Sequence, residues 1–210
     1  MREQLVEALT KYQTDFSLSL SDTVIQKLAD YYQIVEIHNP ILHLTAPSTS
    51  EVFAVRHILE SLTLLEFLPR NAKLADIGAG AGLPSIPCLV ARKDLSAILI
   101  ESKEKKARFL EEAVHSLSLA TRAEVVNRQF EEAVAHDATM VTCRALDKFV
   151  EKLARLIRWS GRRPMLFFGG DKLESALAKQ AIEIVDRRLM PFSERRYLFD
   201  VRTVNRRNID

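Results

Sequence analysis

The sequence predicts a doubly wound α/β domain of seven mostly parallel strands, entered through a helical N-terminal extension. Three patterns carry that expectation. Residues 1–70 place apolar side chains at helical spacing only. From Lys73 onward short aliphatic runs alternate with helical segments, the pattern of a parallel sheet covered on both faces. The last two β-like runs are joined by a short turn, as in an antiparallel hairpin that closes a sheet. The expected division is 1–70 for the helical extension and 71–210 for the α/β domain.

In chain order, Leu5, Leu9, Tyr12 and Phe16 mark one helix face. The stretch Ser19 to Asp22 breaks that helix and offers an N-cap for the next. Val24, Ile25, Leu28, Tyr31, Tyr32 and Val35 continue at helical period, and His38-Asn39-Pro40 is expected to end the run. Ser48 and Glu51 have capping-box spacing ahead of a third helix, about Glu51 to Leu65. Strands are expected at Leu74–Ile77, Ala97–Ile100, Glu124–Val126, Met140–Thr142 and Met165–Phe168, with a helix over Lys105–Leu117. The hairpin is expected near Ile184–Leu189 and Leu198–Val204, turning over Pro191 to Glu194.

Composition bounds the function classes. Over 210 residues, 47% hydrophobic and 28% charged is ordinary globular composition, which excludes disorder and fibrous repeats. No apolar run approaches the roughly 20 residues a bilayer crossing needs, and Met1-Arg2-Glu3-Gln4 opens no signal segment. A cytoplasmic protein without membrane contact is expected, and a monomer. Two cysteines, Cys88 and Cys143, build neither a disulfide framework nor a cysteine-rich metal site. His38, His43, His57, His115 and His136 have no ligand spacing, so no metal is expected. The net charge of +2 hides an asymmetry: residues 1–150 sum to −4 and residues 151–210 to +6. A basic C-terminal third can meet a polyanion or simply be a solvated face.

Three of the six glycines stand within five residues, in Asp76-Ile77-Gly78-Ala79-Gly80-Ala81-Gly82. The run follows the first strand and opens a helix whose early positions include Pro84 and Pro87, both tolerated in a first turn. Such a turn lets the backbone approach a nucleotide-like ligand and aims free N–H groups at it. A carboxylate about 20 residues further, at the end of the second strand, would accept from ribose hydroxyls. Glu101 stands there. The dinucleotide fingerprint G-x-G-x-x-G would require glycine where Leu83 stands. An acidic residue two positions before G-x-G-x-G resembles motif I of the Rossmann-like class I S-adenosylmethionine methyltransferases. Asp76 suits a cationic ligand and would repel a diphosphate.

Further segments extend the resemblance. Arg56-His57-Ile58-Leu59-Glu60-Ser61 resembles R-H-I-L-D-S, and Gly78 through Pro87 resembles G-x-G-x-G-L-P-G-I-P. Glu101-Ser102, Lys105 and Arg108-Phe109-Leu110 resemble D-S…K-R…F-L. Thr142-Cys143-Arg144-Ala145 resembles I-S-R-A, and Glu194-Arg195-Arg196-Tyr197 an E-R-H run. In this order they resemble the bacterial small-subunit ribosomal RNA (guanine-N7)-methyltransferase family, from about Asn39 to Val204. The resemblance implies S-adenosyl-L-methionine as cofactor, N7 of a 16S rRNA guanosine as methyl acceptor, and the small ribosomal subunit as partner. Cofactor contacts would fall on Asp76, Gly78, Gly80, Gly82, Leu83, Glu101, Phe130, Glu131 and Arg144.

RNA contacts would fall on Arg56, His57, Lys172, Arg195 and Arg196, because guanine O6 and N7 suit a bidentate arginine. His57 and Arg195 are the candidates for assisting transfer. Guanine N7 carries a free lone pair, so no general base is required. Phe130 has an equally good reading as ordinary core. Arg144, ending a buried strand, requires a ligand or a carboxylate partner. The sequence departs from the family at His38 and His43, where a tryptophan and an asparagine are usual, at Glu60, and at Gly169, where a lysine is usual before glycine and Lys172 follows instead. Thr142-Cys143 resembles the T-C dipeptide of RNA cytosine-C5 methyltransferases, which suggests a thiolate mechanism as rival. A small-molecule or protein methyltransferase and a non-catalytic RNA-binding paralogue are the other readings.

Overall fold

The computed structural model describes residues 1–144 and 146–204. Ala145 of the Arg144 motif, and Arg206 and Arg207 of the basic C-terminal third, lie outside the described residues. Seven strands form one sheet in the order β3-β2-β1-β4-β5-β7-β6. They are β1 (Lys73–Ile77), β2 (Ser96–Ile100), β3 (Ala123–Val126), β4 (Met140–Cys143), β5 (Met165–Gly169), β6 (Ile182–Leu189) and β7 (Tyr197–Thr203). The first five pair in parallel. β7 runs antiparallel to both β5 and β6, so the expected hairpin places its second strand inside the sheet and leaves β6 at the edge. That edge carries Asp186, Arg187 and Arg188, charges that discourage pairing with another chain.

Strands β1, β2, β4 and β5 are buried on both faces, and their residues alternate between two cores. Leu74, Ala97, Leu99, Leu166 and Phe168 pack into one cluster, together with α1 (Arg2–Tyr12), α2 (Asp22–Leu42), α5 (Ser85–Ala91) and α6 (Glu104–Ser116). Ala75, Ile77, Ile98, Ile100, Met165 and Phe167 pack into the other, with α7 (Phe149–Ser160) and α8 (Asp171–Leu177). The period of two along each strand produces this division. The N-terminal helices share the first core with the sheet, so residues 1–70 cover one face of the α/β layer. Among the described residues no helix is long and apolar enough to cross a membrane.

Three local expectations are corrected. The second helix does not end at Pro40 but runs through it to Leu42. Proline so close to the helix end removes only one intrahelical N–H, and the helix closes at His43, whose φ is 48° and whose N–H bonds Asn39. The third helical segment is capped by Thr49, whose Oγ1 accepts from Val52 N at 3.2 Å, and not by Ser48. Glu51 instead accepts from the Tyr12 hydroxyl at 2.5 Å, tying this segment to α1. Finally, that segment is not one regular helix. It passes from α3 (Ser50–Phe53) through a π-helical stretch, Ala54–Leu59, to α4 (Glu60–Leu62) and a 3₁₀ stretch, Thr63–Phe67. The wide π turn carries Arg56 and His57, a placement often met at functional sites.

Candidate active site

The strand order reverses between β1 and β4, and there the carboxyl ends of the strands open a crevice. A cavity of about 460 Å³ occupies it. Its floor is the turn after β1. Gly78 (φ +68°) and Gly80 (φ +55°) adopt left-handed backbone, and the Gly78 and Ala79 N–H groups bond Ile100 O at 2.8 and 3.2 Å. A Cβ at Gly78 would come within 2.8 Å of Leu146 Cδ1, so a side chain there would disturb the opposite wall. Glu101, 6% exposed, ends β2 with its carboxylate beside this turn. Gly80 N donates to Oε2 at 3.1 Å and Lys103 N to Oε1 at 2.8 Å. Each oxygen keeps a free lone pair, which vicinal hydroxyls can use.

Of the expected site residues, Gly78, Gly80, Leu83, Glu101, Arg144 and His57 line this cavity together. Four others do not. Asp76 leaves β1 on the Leu74 face and is fully buried against the start of α5. Gly82 (φ +87°) serves the packing of the turn on α5, since a Cβ would meet Ile86 at 2.3 Å. Phe130 sits in core, edge-to-face on Trp159 at 6.1 Å, which is the ordinary-core alternative. Glu131 pairs with Arg155 of α7 at 3.0 Å. Arg56, Lys172 and Arg195 are exposed and lie outside the cavity wall. Sequence reasoning missed Thr45, Lys103, Lys106, Gln129, Asp147 and Lys152, which also line it. Only Lys103 and Gln129 carried a signal, as neighbours of Glu101 and Phe130.

Arg144 has the carboxylate partner that a buried guanidinium requires. Its Nη2 donates to Glu60 Oε2 at 3.1 Å and to the Arg56 carbonyl, and its Nη1 donates to Ser61 Oγ at 2.8 Å. The other Glu60 oxygen accepts from Arg196, Nε at 2.8 Å and Nη2 at 2.7 Å. Glu60 is 2% exposed, so one buried carboxylate at the start of α4 joins the end of β4 to the turn before β7. Arg196, expected on RNA, is therefore committed inward.

His57 on the cavity wall and Asp76 buried behind the turn have displaced pKa values. Burial lowers the His57 imidazole to about 3, helped by the positive charges of Arg144, Arg56 and Arg196, so it is neutral at physiological pH. Burial raises the Asp76 carboxyl to about 7. The nearby Ser85 hydroxyl and N–H favour its charged form, yet neither reaches hydrogen-bond geometry and both Asp76 oxygens lack a partner among the described residues. Cys143 is fully buried, and burial pushes its thiol well above the ordinary range. A protonated thiol inside the core is no nucleophile, which removes the thiolate mechanism. His38 and His43 serve the fold here: His38 bonds Glu112 at 3.1 Å, and the His43 carbonyl accepts from Lys106 at 3.2 Å. Gly170 permits close packing, because a Cβ would meet Arg195 O at 2.7 Å. Among the described residues no group of three His, Cys, Asp or Glu side chains could hold a metal ion.

Comparison with known proteins agrees with this geometry. Residues 24–192 match the family profile described as GidB, rRNA small subunit methyltransferase G. A relative from Neisseria meningitidis serogroup C, named ribosomal RNA small subunit methyltransferase G, is 35% identical over 144 residues, 69% of this chain and 67% of that protein. One of the same name from Sorangium cellulosum is 34% identical over 171 residues, 77% of this chain and 71% of that one. Among solved structures, the tRNA methyltransferase TrmK of B. subtilis superposes with a TM-score of 0.54 at 17% identity, over 69% of this chain and 65% of that chain. The mitomycin 7-O-methyltransferase MmcR superposes with 0.59 at 15% identity, over 96% and 67%. These two likenesses establish the fold. With the family profile spanning most of its length and relatives at about 35% identity, this chain belongs to the rRNA small subunit methyltransferase G (GidB) family.

Proposed function

We propose that this protein transfers a methyl group from S-adenosylmethionine to N7 of a guanosine in 16S rRNA. The observation that carries the reading is the cavity formed by the Gly78–Gly80 backbone, the Glu101 carboxylate and Arg144 at the strand-order reversal. Its volume is in the range of cofactor sites. The residues present fit the cofactor: a Cβ-free cradle at Gly78, and carboxylate lone pairs on Glu101 placed for ribose hydroxyls.

The bound cofactor supplies an electrophilic methyl group on a sulfonium. The protein's own task is positioning. Glu101 holds the ribose end, and Leu83 gives an apolar surface at the glycine turn. Guanine N7 presents a lone pair without losing a proton, so neutral His57 has no proton to remove; it offers a hydrogen bond to the entering base. Lys103, Lys106 and Lys152 on the wall, with exposed Arg56, Lys172 and Arg195, supply phosphate contacts for an RNA strand. This assignment places the protein in the cytoplasm, where the small subunit is assembled.

The test is transfer of labelled methyl from S-adenosylmethionine to 16S rRNA and to 30S particles lacking N7 methylation, followed by reduction and aniline cleavage. Label with scission at one guanosine is expected. Replacing Glu101 by alanine should weaken cofactor binding by about 10- to 100-fold, the worth of charge-assisted hydrogen bonds. Label without scission would overturn the N7 assignment, and absence of label with intact cofactor binding would overturn the rRNA assignment.

A further inference from the structure

The glycine turn is held from above as well as from the sheet. Tyr31, in the middle of α2 and fully buried, donates its hydroxyl to Ala81 O at 2.7 Å across fifty residues of sequence. Ala81 lines the cavity between Gly80 and Gly82. Its carbonyl precedes α5 and takes this hydrogen bond from a side chain rather than from the helix backbone. The turn is otherwise closed by Gly82 N to Ala79 O at 2.6 Å, and by the Gly80 N–H on Glu101. Rotating the Ala81–Gly82 peptide would break both the Tyr31 bond to Ala81 O and the Gly82 N bond to Ala79 O that closes the turn around Gly80. Asp76 and Arg144 lie close enough for their charges to act on the same hydroxyl, so it stands where loop, strand and cavity wall meet.

We propose that Tyr31 is a positioning residue for the cofactor: through Ala81, the N-terminal helical layer sets the conformation of the glycine turn and hence cofactor affinity. The inference rests on the S-adenosylmethionine reading above. The helical layer thereby acts on the cofactor cavity through a side chain that does not line it. A buried tyrosine–carbonyl bond is strong enough for this, because its loss leaves the carbonyl unpaired in a dry site.

Tyr32 provides an internal control. Its hydroxyl is also buried but shares a hydrogen bond with Ser50 at 3.1 Å, in the interface between α2 and α3. Tyr31→Phe and Tyr32→Phe therefore remove the same atom from neighbouring positions. The measurements are calorimetric dissociation constants for S-adenosylmethionine and S-adenosylhomocysteine, thermal unfolding, and the KM and kcat for methyl transfer. Y31F is expected to weaken both ligands about five- to tenfold, with kcat at saturation within twofold of wild type. Y32F is expected to leave both ligands within twofold while losing comparable thermal stability. Equal effects of the two variants on affinity, or none from Y31F, would overturn the proposal. Failure of the wild-type protein to bind either ligand would overturn it together with the cofactor reading.

If Y31F does not fold, hydrogen exchange on the ligand-free wild type decides the matter. The Ala79–Leu83 amides should open together with the centre of α2; their exchange many times faster than α2 would overturn the proposal.

Discussion

Replacing Glu60 by alanine leaves two guanidiniums facing one another inside the fold. The carboxylate is 2% exposed, Arg144 is 14% exposed and Arg196 is 34% exposed. Arg196 can turn toward water, whereas Arg144 is walled in by the Arg56 carbonyl, Ser61 and the ring of Phe168, 5.2 Å from its guanidinium. Breaking a buried pair by removing one partner costs about 3–5 kcal/mol. At roughly 2–4 °C per kcal/mol for a chain of this size, E60A should melt about 6–20 °C below wild type. Glu60→Gln keeps an oxygen for Arg144 but turns an amide N–H₂ toward the other guanidinium, so it should fall between the two.

The double variant Glu60→Leu with Arg144→Met removes both charges and should recover most of the lost stability, because apolar replacement of a buried ion pair is often neutral. It should not recover cofactor affinity, since Arg144 lines the cavity. The assay is thermal unfolding by calorimetry, with cofactor titration on each folded variant. An E60A midpoint within 2 °C of wild type would refute the argument. So would a double variant no more stable than E60A.

Other outcomes follow from the same geometry. Gly80→Ala has room for its Cβ, 3.6 Å from Gly78 O, but must hold φ near +55°; a stability loss of about 1–2 kcal/mol is expected, read by denaturant unfolding, and a loss below 0.5 kcal/mol would contradict it. His57 and Asp76 should give opposite pH dependences. The His57 pKa is lowered on folding, so its contribution is full above about 6.5 and is lost as pH falls toward 3. The Asp76 pKa is raised, so its contribution is full below about 4 and is lost as pH rises through 7. Between pH 4 and 6.5 the two slopes oppose each other, each at most about 1.4 kcal/mol per pH unit. Relative to wild type, Asp76→Asn should gain stability with rising pH across that window and His57→Gln should lose it; parallel profiles in urea titrations would contradict both assignments. Cys143→Ser should retain methyl transfer within about threefold, and the folded protein should resist thiol alkylation at Cys88 and Cys143, both fully buried.

Much of the architecture was legible because its determinants are local. Alternating residues in Leu74–Ile77 and Ala97–Ile100 must divide between two faces, and short aliphatic runs separated by helical segments leave few arrangements other than a parallel sheet. Pro40 misled because a proline's cost depends on how much helix remains beyond it, and only Ile41 and Leu42 separate it from the closing His43. Ser48 and Thr49 were indistinguishable as caps, since either hydroxyl can serve and the chain direction entering α3 selects one. The cavity was legible at Gly78, Gly80 and Glu101, where backbone conformation and spacing from a strand end constrain residue type.

The sequence by itself determined the strand–helix alternation, the glycine turn at the end of β1 and the carboxylate at the end of β2. Each depends on backbone geometry or periodicity within a few residues. Tertiary structure alone decided that Arg144 and Arg196 share Glu60 across 84 and 136 residues, and that Phe130 faces Trp159 instead of the cavity. It alone placed Asp76 in a dry niche and the Tyr31 hydroxyl on the glycine turn. Such pairings arise where elements distant in sequence pack together, and a charge or hydroxyl acquires its partner only when burial removes water as the alternative.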